Sequence, residues 1–278
     1  MNRPEMIRVE HEGVVFWTDP ELAKDGVRIA FSERSGGVSA PPYDSLDLAA
    51  HVGDDPLLVD ENRSRFLSGV GIAGLRDSLI TAEQVHGDVI TLVGTDDSGR
   101  GASASAGSGA AALRSPVPQT DGLVTKTPEL PLMLFFADCV PVILAVTDPV
   151  PGVAVVHAGW RGVLSRIPEK AVHALIVATG AESSAVRAYI GPHIGSCCYK
   201  VATTLAATFN ETFDTIAAVE DHLDLAVAVR ASLTDAGVEG DRIAELGACT
   251  FDSADRFFSY RANDVTGRHG ALAVITKD

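Results

Sequence analysis

The chain has 278 residues, of which 46% are hydrophobic and 21% are charged, so it suits one large globular domain or two small ones. The formal net charge is −15, so the chain as a whole should repel nucleic acid and anionic lipid, and only locally converging arginines would bind a small anion. It shows no apolar run of the roughly 18 residues that a membrane helix needs, no signal-peptide core and no disulfide framework among its four cysteines, so we expect a cytoplasmic protein.

The first predicted elements are a strand, a helix and a broken strand segment. Residues 27–32 alternate between apolar and polar side chains, which is typical of a half-buried strand. Asp54 and Asp55 precede Pro56, and an acidic cap with proline in the first turn predicts the start of a helix. Residues 79–93 favour one or two strands that are interrupted at residues 85–88.

Residues 94–118 differ in composition from the sequence on either side. Gly, Ala and Ser dominate there, and large apolar side chains are almost absent. This composition predicts a flexible surface loop or insertion. The strands before and after it carry candidate residues for one site. We therefore expect the insertion to leave and re-enter a single domain that spans residues 1–278.

The second half of the chain alternates between predicted strands and helices. Residues 162–179 have helical spacing and end at Gly180, a residue typical of helix C-caps. One further predicted helix begins at about residue 201, and another spans residues 223–236. The predicted strands lie at residues 121–125, 132–137, 141–147, 152–156, 186–190, 243–246 and 271–275. The mixed order predicts an α+β (α/β) fold, in which one domain has a central mixed β-sheet or sandwich flanked by helices.

Three residues at the ends of apolar segments form the candidate site: His86, Cys139 and His157. The apolar run at 132–137 ends in Asp138 and Cys139, and the next run ends in His157, so we expect these two strands to finish side by side. One cysteine and two histidines are good ligands for a first-row metal, and three protein ligands leave a fourth position open, as a catalytic zinc requires. The same ligand set occurs in blue-copper sites, although no axial methionine is evident here.

A second interpretation of the same residues needs no metal. Cys139 would be a nucleophile and His157 its base, as in thiol hydrolases, with Asp138 orienting or polarising the pair. Taken singly, the two histidines also suit capping positions and the cysteine a buried thiol. From the residues alone, the metal and the nucleophile interpretations both stay open.

Arginines in glycine-containing turns are the candidate anion ligands. Arg161 lies between Gly159 and Gly162, where a strand passes into a helix, and the free N–H groups and positive dipole of a helix start favour an anion. Arg261 and Arg268 add two cations near the C-terminus. The alternative for each arginine is an ion pair with a surface acid.

Several enzyme classes lack their motifs in this chain. Residues 69–74 fit G-x-G-x-x-G but follow a predicted helix instead of a strand, so they do not predict a dinucleotide site. The chain has no P-loop, no G-x-S-x-G and no H-E-x-x-H, and the signature of the zinc deaminases is also absent. The paired His-x-His motifs of true multicopper oxidases are absent as well.

Eight short motifs occur in order between about residue 27 and the C-terminus. They are Gly36-Gly-Val-Ser, Pro42-Tyr-Asp-Ser-Leu-Asp-Leu, His51-Val-Gly-Asp-Asp, Gln84-Val-His-Gly, Ala137-Asp-Cys-Val-Pro, His157-Ala-Gly-Trp-Arg-Gly, Gly191-Pro-His-Ile-Gly and Phe258-Ser-Tyr-Arg. Together they resemble the YfiH family, which is also called the laccase-domain or multicopper polyphenol oxidase family. The resemblance implies a single α/β domain that is similar in fold to the cysteine deamidase toxins.

The resemblance also implies a site and an activity. It implies zinc, with copper as the alternative metal, at His86, Cys139 and His157. It implies the phosphorolysis of adenosine, inosine or methylthioadenosine and the deamination of adenosine. The alternatives are copper-dependent, laccase-like polyphenol oxidation and a Cys–His amidohydrolase in peptidoglycan editing. Purine nucleoside and phosphate would then be the partners.

On this hypothesis phosphate binds to Arg161 and neighbouring N–H groups, with Arg34 or Arg261 as further candidates. Two positions depart from the family pattern. Asp47 stands where the family commonly has Asn, and Ala262 stands where it commonly has Arg. We therefore expect contacts to the anion or the sugar to differ in this chain.

Overall fold

The computed structural model describes residues 3–94 and 115–277, so most of the predicted insertion at 94–118 lies outside the described residues. The strands of this part are β1 (Ile7–His11), β2 (Val14–Thr18), β3 (Val27–Ser32), β4 (Ile90–Leu92), β5 (Gly122–Thr125), β6 (Leu132–Phe136), β7 (Val140–Val146), β8 (Gly152–Ala158), β9 (Arg187–Ile190), β10 (Ala218–Val219), β11 (His222–Leu223), β12 (Ile243–Glu245) and β13 (His269–Ile275). Its α-helices are α1 (Pro20–Lys24), α2 (Pro56–Gly69), α3 (Trp160–Leu164), α4 (Ile167–Thr179), α5 (Thr203–Phe213) and α6 (Leu225–Asp235). Short 3₁₀ helices lie at Ala73–Ser78, Ser183–Ala185 and Gly240–Arg242.

Two β-sheets pack face to face and enclose a buried apolar layer. The first sheet is antiparallel, with the strand order β1-β2-β3-β13-β6, and the second is mixed, with the order β12-β9-β7-β8-β5-β4. Fully buried side chains from both sheets share one cluster, among them Phe31 and Leu134 from the first sheet and Ile143 and Val155 from the second. Because side chains alternate between the faces of a strand, each sheet keeps a second apolar face for helices.

Helices cover the outer face of each sheet. Phe66 of α2 shares a buried cluster with Phe135 on the outer face of the first sheet. Val172 of α4, Phe209 of α5 and Val229 of α6 share another cluster with the outer face of the second sheet. The predicted α+β fold is therefore confirmed, and its central layer is a sandwich of two sheets. No helix among the described residues has both the length and the apolar character to cross a bilayer.

Two predicted helix ends are confirmed and one predicted helix is divided. The Asp55 carboxylate accepts the N–H of Leu57 at the start of α2, and Gly180 ends α4 with a left-handed φ of 73°. The helix predicted over 162–179 is two helices, α3 and α4, because Arg166 between them has a φ of 60°. Pro168 explains the break: its ring would clash with the carbonyl four residues back in a continuous helix.

Candidate metal centre

His86, Cys139 and His157 come together at one edge of the second sheet. Their ligand atoms lie within 4.8 Å of one another, and the two imidazole rings meet edge to face. Cys139 directly precedes β7 and His157 lies near the end of β8, so the antiparallel pairing of these strands brings them together. The expectation that two strands finish here side by side is wrong in one respect. The prediction has the strand at 132–137, which is β6, end beside β8. In the structure β6 belongs to the other sheet, and the strand beside β8 is β7, which begins at this point.

A buried carboxylate, Asp121, lies behind the two histidines. One of its oxygens is 2.8 Å from Nδ1 of His157 and also accepts the backbone N–H of His86. The other oxygen accepts the backbone N–H groups of Val85 and Gly87. These donors hold the left-handed backbone of His86, whose φ is 59°. Because Asp121 engages Nδ1, Nε2 of His157 is the nitrogen left for a metal or for the thiol.

Asp121 is not predicted from the sequence as a site residue. It precedes β5 and is 35 residues from His86 and 36 from His157 along the chain. The one local feature that sets Asp121 apart is its position directly before Gly122, the first residue of the buried strand β5. Asp138, which the nucleophile interpretation uses to orient the pair, does not contact His157. Its carboxylate instead accepts the hydroxyl of Thr250 and the backbone N–H of Arg261, so that expectation is wrong.

Cys139 and His157 form a charged pair. Burial alone would raise the pKa of the Cys139 thiol, but the charge of His157 and hydrogen bonds from His157 and His86 outweigh burial and lower this pKa to about 6. Burial alone would lower the pKa of His157, but the Cys139 thiolate and Asp121 raise it to about 9. Near neutral pH the cluster therefore presents a thiolate, the form of cysteine that binds metal and also the form that acts as a nucleophile.

The residues at this site fit a tetrahedral metal ion. A thiolate and two imidazoles are a donor set that zinc prefers, with one position left open. Gly159 borders the same space: a Cβ there would lie 3.1 Å from Cδ2 of His86 and 3.3 Å from Sγ of Cys139. The absence of a side chain at Gly159 keeps free the space beside the ligands that an ion and its fourth ligand would need.

The cluster lies in the wall of a cavity of about 420 Å³. Aromatic rings, an imidazole and guanidinium groups form much of the remaining lining, namely His51, Phe135, Tyr199, Tyr260, Arg261 and Arg268. The other lining residues are Gln84, Ala137, Asp138, Ile194 and Leu225. A cavity of this size suits a small molecule. Its composition suits a ligand with a flat ring and an anionic group, because aromatic faces bind flat rings and guanidinium groups bind anions.

The three predicted phosphate ligands lie in different surroundings. Arg261 lines the cavity, and its guanidinium carbon lies 5.2 Å from the centre of the Tyr199 ring. Arg34 is not among the lining residues, and its guanidinium donates to two backbone carbonyls. Arg161 is also outside the lining and stacks on the Trp160 ring. Phosphate binding by these three arginines stays a prediction. Arg268, the other candidate anion ligand from the sequence, also lines the cavity.

Comparisons with known proteins identify the family to which this chain belongs. A family model described as multi-copper polyphenol oxidoreductase laccase matches residues 28–276. A purine nucleoside phosphorylase from Mycobacterium tuberculosis is 35% identical over 251 residues, which cover 88% of this chain and 91% of that protein. The Escherichia coli purine nucleoside phosphorylase YfiH is 34% identical over 266 residues, which cover 91% of this chain and 93% of that protein. The chain belongs to the YfiH, or laccase-domain, family.

Solved structures with 30% sequence identity or more share this fold. YlmD from Geobacillus stearothermophilus superposes with a TM-score of 0.84 at 31% identity, covering 99% of this chain and 100% of that one. The hypothetical protein YfiH from Bacillus licheniformis superposes with a TM-score of 0.79 at 30% identity, covering 96% of this chain and 98% of that one. The family resemblance predicted from the eight motifs is confirmed.

Asp47 of this YfiH-family protein lies beneath the cavity wall, not in it. Its side chain is fully buried, and one oxygen accepts the backbone N–H groups of Ala49 and Arg268. Its other oxygen has no hydrogen-bond partner among the described residues. Burial raises the pKa of this carboxyl to about 6, although the two N–H donors act in the opposite direction. The departure from Asn therefore acts on the backbone that carries Arg268.

We expect Asp47→Asn to stabilise the protein at neutral pH but not near pH 4. The folded pKa of about 6 exceeds the unfolded value of about 3.9, so the native state loses stability as the pH rises between them, and the loss persists above pH 6. An amide does not ionise, and after the cost of an unpartnered N–H we expect a gain of about 1–2 kcal/mol at pH 7.5. Urea unfolding of both proteins at several pH values measures the difference. A gain of equal size at every pH would contradict this explanation.

Proposed function

We propose that the chain is a zinc-dependent purine nucleoside phosphorylase that acts on adenosine, inosine and methylthioadenosine and also deaminates adenosine. The observation that carries the proposal is the position of the His86, Cys139 and His157 cluster in the wall of an aromatic, arginine-containing cavity. The relatives from Mycobacterium tuberculosis and Escherichia coli are named purine nucleoside phosphorylases, which supports the same activity here. The compartment in this proposal is the cytoplasm, in keeping with four free cysteines.

His86, Cys139 and His157 would hold the zinc ion. When bound, zinc supplies a Lewis acid that stabilises negative charge and acidifies a nearby water. Asp121 fixes the ring of His157 through Nδ1 and fixes the backbone of His86. This support keeps the two histidines in place before an ion binds, so less conformational entropy is lost on binding.

The cavity offers both kinds of surface that the two substrates of phosphorolysis need. In this reaction a phosphate oxygen bonds to C1′ of the ribose, the C1′–N9 bond breaks, and the purine leaves with a proton. Phe135, Tyr199 and Tyr260 provide flat apolar faces for the purine. Arg261 and Arg268 provide positive charge for the phosphate. In a chain of net charge −15, such a local pair of cations is what an anionic substrate requires.

We expect Arg261→Ala to raise the KM for phosphate at least about tenfold, because a hydrogen bond to a charged group contributes about 1.5–3 kcal/mol. The KM for inosine should stay within about threefold of the wild-type value. Initial rates at varied phosphate and varied inosine separate the two constants. Arg161→Ala is the comparison, since Arg161 lies outside the cavity lining. If Arg161→Ala raises the KM for phosphate more than Arg261→Ala does, the anion site lies at the start of α3 and the role given to Arg261 is wrong.

The charged pair of Cys139 and His157 supports a second candidate, a Cys–His amidohydrolase acting in peptidoglycan editing. A thiolate beside an imidazolium is the arrangement that thiol hydrolases use. The two candidates differ in their need for metal. The amidohydrolase would act as metal-free protein and be inhibited by iodoacetamide, whereas the phosphorylase would require metal.

Metal analysis of the purified full-length protein, combined with product detection after adding adenosine and phosphate, tests the proposal. We expect zinc at the site, with adenine and ribose 1-phosphate as phosphorolysis products and inosine with ammonia from deamination. Copper in place of zinc, together with oxygen uptake on a phenol, would support a laccase-like oxidase instead. Metal-free protein that hydrolyses an amide substrate would support the thiol enzyme.

A further inference from the structure

A second cluster of metal-ligating side chains lies outside the cavity lining. It consists of Cys197, Cys198, Cys249 and Asp252, whose ligand atoms all lie within 4.8 Å of one another. The first two residues belong to the turn after β9, and the other two belong to the segment after β12. The proposed phosphorylase reaction uses none of the four.

Cys249 has the surroundings of a metal-bound sulfur. The backbone N–H of Gly195 donates to its Sγ over 3.3 Å. A neutral thiol is a weak acceptor, so a backbone N–H donor on this sulfur favours its thiolate form. Two residues separate Cys249 from Asp252, the spacing that paired ligands have in many structural zinc sites.

Cys197 and Cys198 complete the cluster from the other segment. Their sulfur atoms lie 3.2 Å and 3.1 Å from the two carboxylate oxygens of Asp252, one sulfur on each oxygen. Gly195 allows the close approach, because a Cβ there would lie 3.3 Å from Sγ of Cys197. Zn–S bonds of about 2.3 Å hold the sulfurs of a tetrahedral site about 3.8 Å apart, so small side-chain shifts would close this cluster on an ion.

We propose that Cys197, Cys198, Cys249 and Asp252 form a structural site for one thiophilic divalent cation, with zinc as the physiological ion. Three thiolates and one carboxylate complete a tetrahedron, so this site is closed, unlike the three-ligand site at Cys139. On binding, the thiols release their protons to solvent, and the oxidation state of the ion does not change. A disulfide would use only two of the three sulfurs and would leave the carboxylate without a role.

The site would join two segments that shape the cavity. Tyr199, which lines the cavity, directly follows Cys198, and the Cys249 segment leads to Tyr260 and Arg261. An ion at the cluster links these segments across about 50 residues of chain. The expected consequence of its removal is a thermal unfolding midpoint lower by several degrees, with the ion at the Cys139 site still bound.

A cobalt(II) titration of the full-length His86→Ala/Cys139→Ala protein tests the proposal. The only thiols left in this variant are the three of the cluster. We expect one cobalt ion per chain with thiolate-to-cobalt charge-transfer absorption, and displacement of the cobalt by zinc. Zinc should also raise the unfolding midpoint of this variant. Absence of the absorption band, or a disulfide found by thiol titration of the freshly reduced and desalted protein, would overturn the proposal.

Substitutions at position 252 provide matched controls. Asp252→Ala should weaken zinc binding at least tenfold, and Asp252→Cys should tighten it, because a fourth thiolate replaces the carboxylate. Asp255→Ala removes an exposed carboxylate from the same segment and should leave zinc affinity unchanged. If the double variant does not fold, zinc is counted in the wild-type protein and in the single variant Cys249→Ser instead. We expect two zinc ions per chain in the wild type and one in Cys249→Ser. Equal zinc affinities in Asp252→Ala and Asp255→Ala, or equal zinc counts with and without Cys249, would show that these side chains are not ligands.

Discussion

Cys139→Ala is expected to remove the metal of the catalytic site and to lower kcat/KM for phosphorolysis at least about 10³-fold. Cys139 is the one thiolate among the three ligands, and two histidines alone rarely hold zinc against water. The substitution also removes the negative charge that raises the pKa of His157. Metal analysis and initial rates with adenosine and phosphate measure both losses on the same preparation.

Cys139→His separates the metal role from the nucleophile role. A histidine restores a third nitrogen ligand, as in the three-histidine sites of other zinc enzymes, but it supplies no thiolate. Under the zinc proposal this variant should bind metal and regain part of the activity that Cys139→Ala loses. Cys139→Ala with its metal content intact and its activity gone would instead identify the thiol as the reacting group.

The sequence predicts His86, Cys139 and His157 as candidate site residues because each of them lies at the end of an apolar segment. Cys139 and His157 interrupt apolar runs at the edge of a sheet, and such interruptions are visible without a structure. The caps at Asp55 and Gly180 are also local, since each depends on hydrogen bonds within one turn. The family resemblance then joins these separate patterns into one order of motifs.

Features that depend on distant pairing are not predicted. Asp121 acts on residues about 35 positions away along the chain, and nothing in its neighbourhood distinguishes it from a strand-flanking acid. Cys197 and Cys198 show no C-x-x-C spacing, because their partners are a cysteine and a carboxylate from another segment. The β1–β2 hairpin is also missed: β1 is largely exposed, whereas β2 is apolar and mostly buried.

The cavity arginines show the limit of motif-based assignment. Arg161 occupies a helix start, where physical principle favours an anion, yet its side chain stacks on Trp160 outside the cavity lining. Arg268 carries no stronger sequence signal, but the pairing of β13 with its neighbours brings it to the cavity. The direction of a long side chain depends on tertiary packing, which the sequence around one arginine does not encode.

Asp121→Asn is expected to weaken zinc binding at the catalytic site about 10- to 100-fold, the usual effect of losing a carboxylate behind a metal-bound histidine. Four donors face this carboxylate: Nδ1 of His157 and the backbone N–H groups of Val85, His86 and Gly87. An amide would turn an NH₂ group toward some of these donors and leave them unsatisfied. The loop that carries His86 would then lose its support, and the pKa of His157 would fall.

The kinetic pattern distinguishes a positioning role from a catalytic role for Asp121. If Asp121 only orients the ligands, kcat of Asp121→Asn should return to near the wild-type value when zinc is supplied in excess, while the apparent zinc affinity stays low. Asp88→Asn is the matched control, because Asp88 is an acidic residue two positions after His86 that pairs with Lys170 instead. Zinc titrations followed by activity and by direct metal analysis measure both constants. A carboxylate that acts only through the ligands can alter turnover only through the bound ion. A kcat that stays low at saturating zinc, with unchanged zinc affinity, would therefore place Asp121 in the reaction itself.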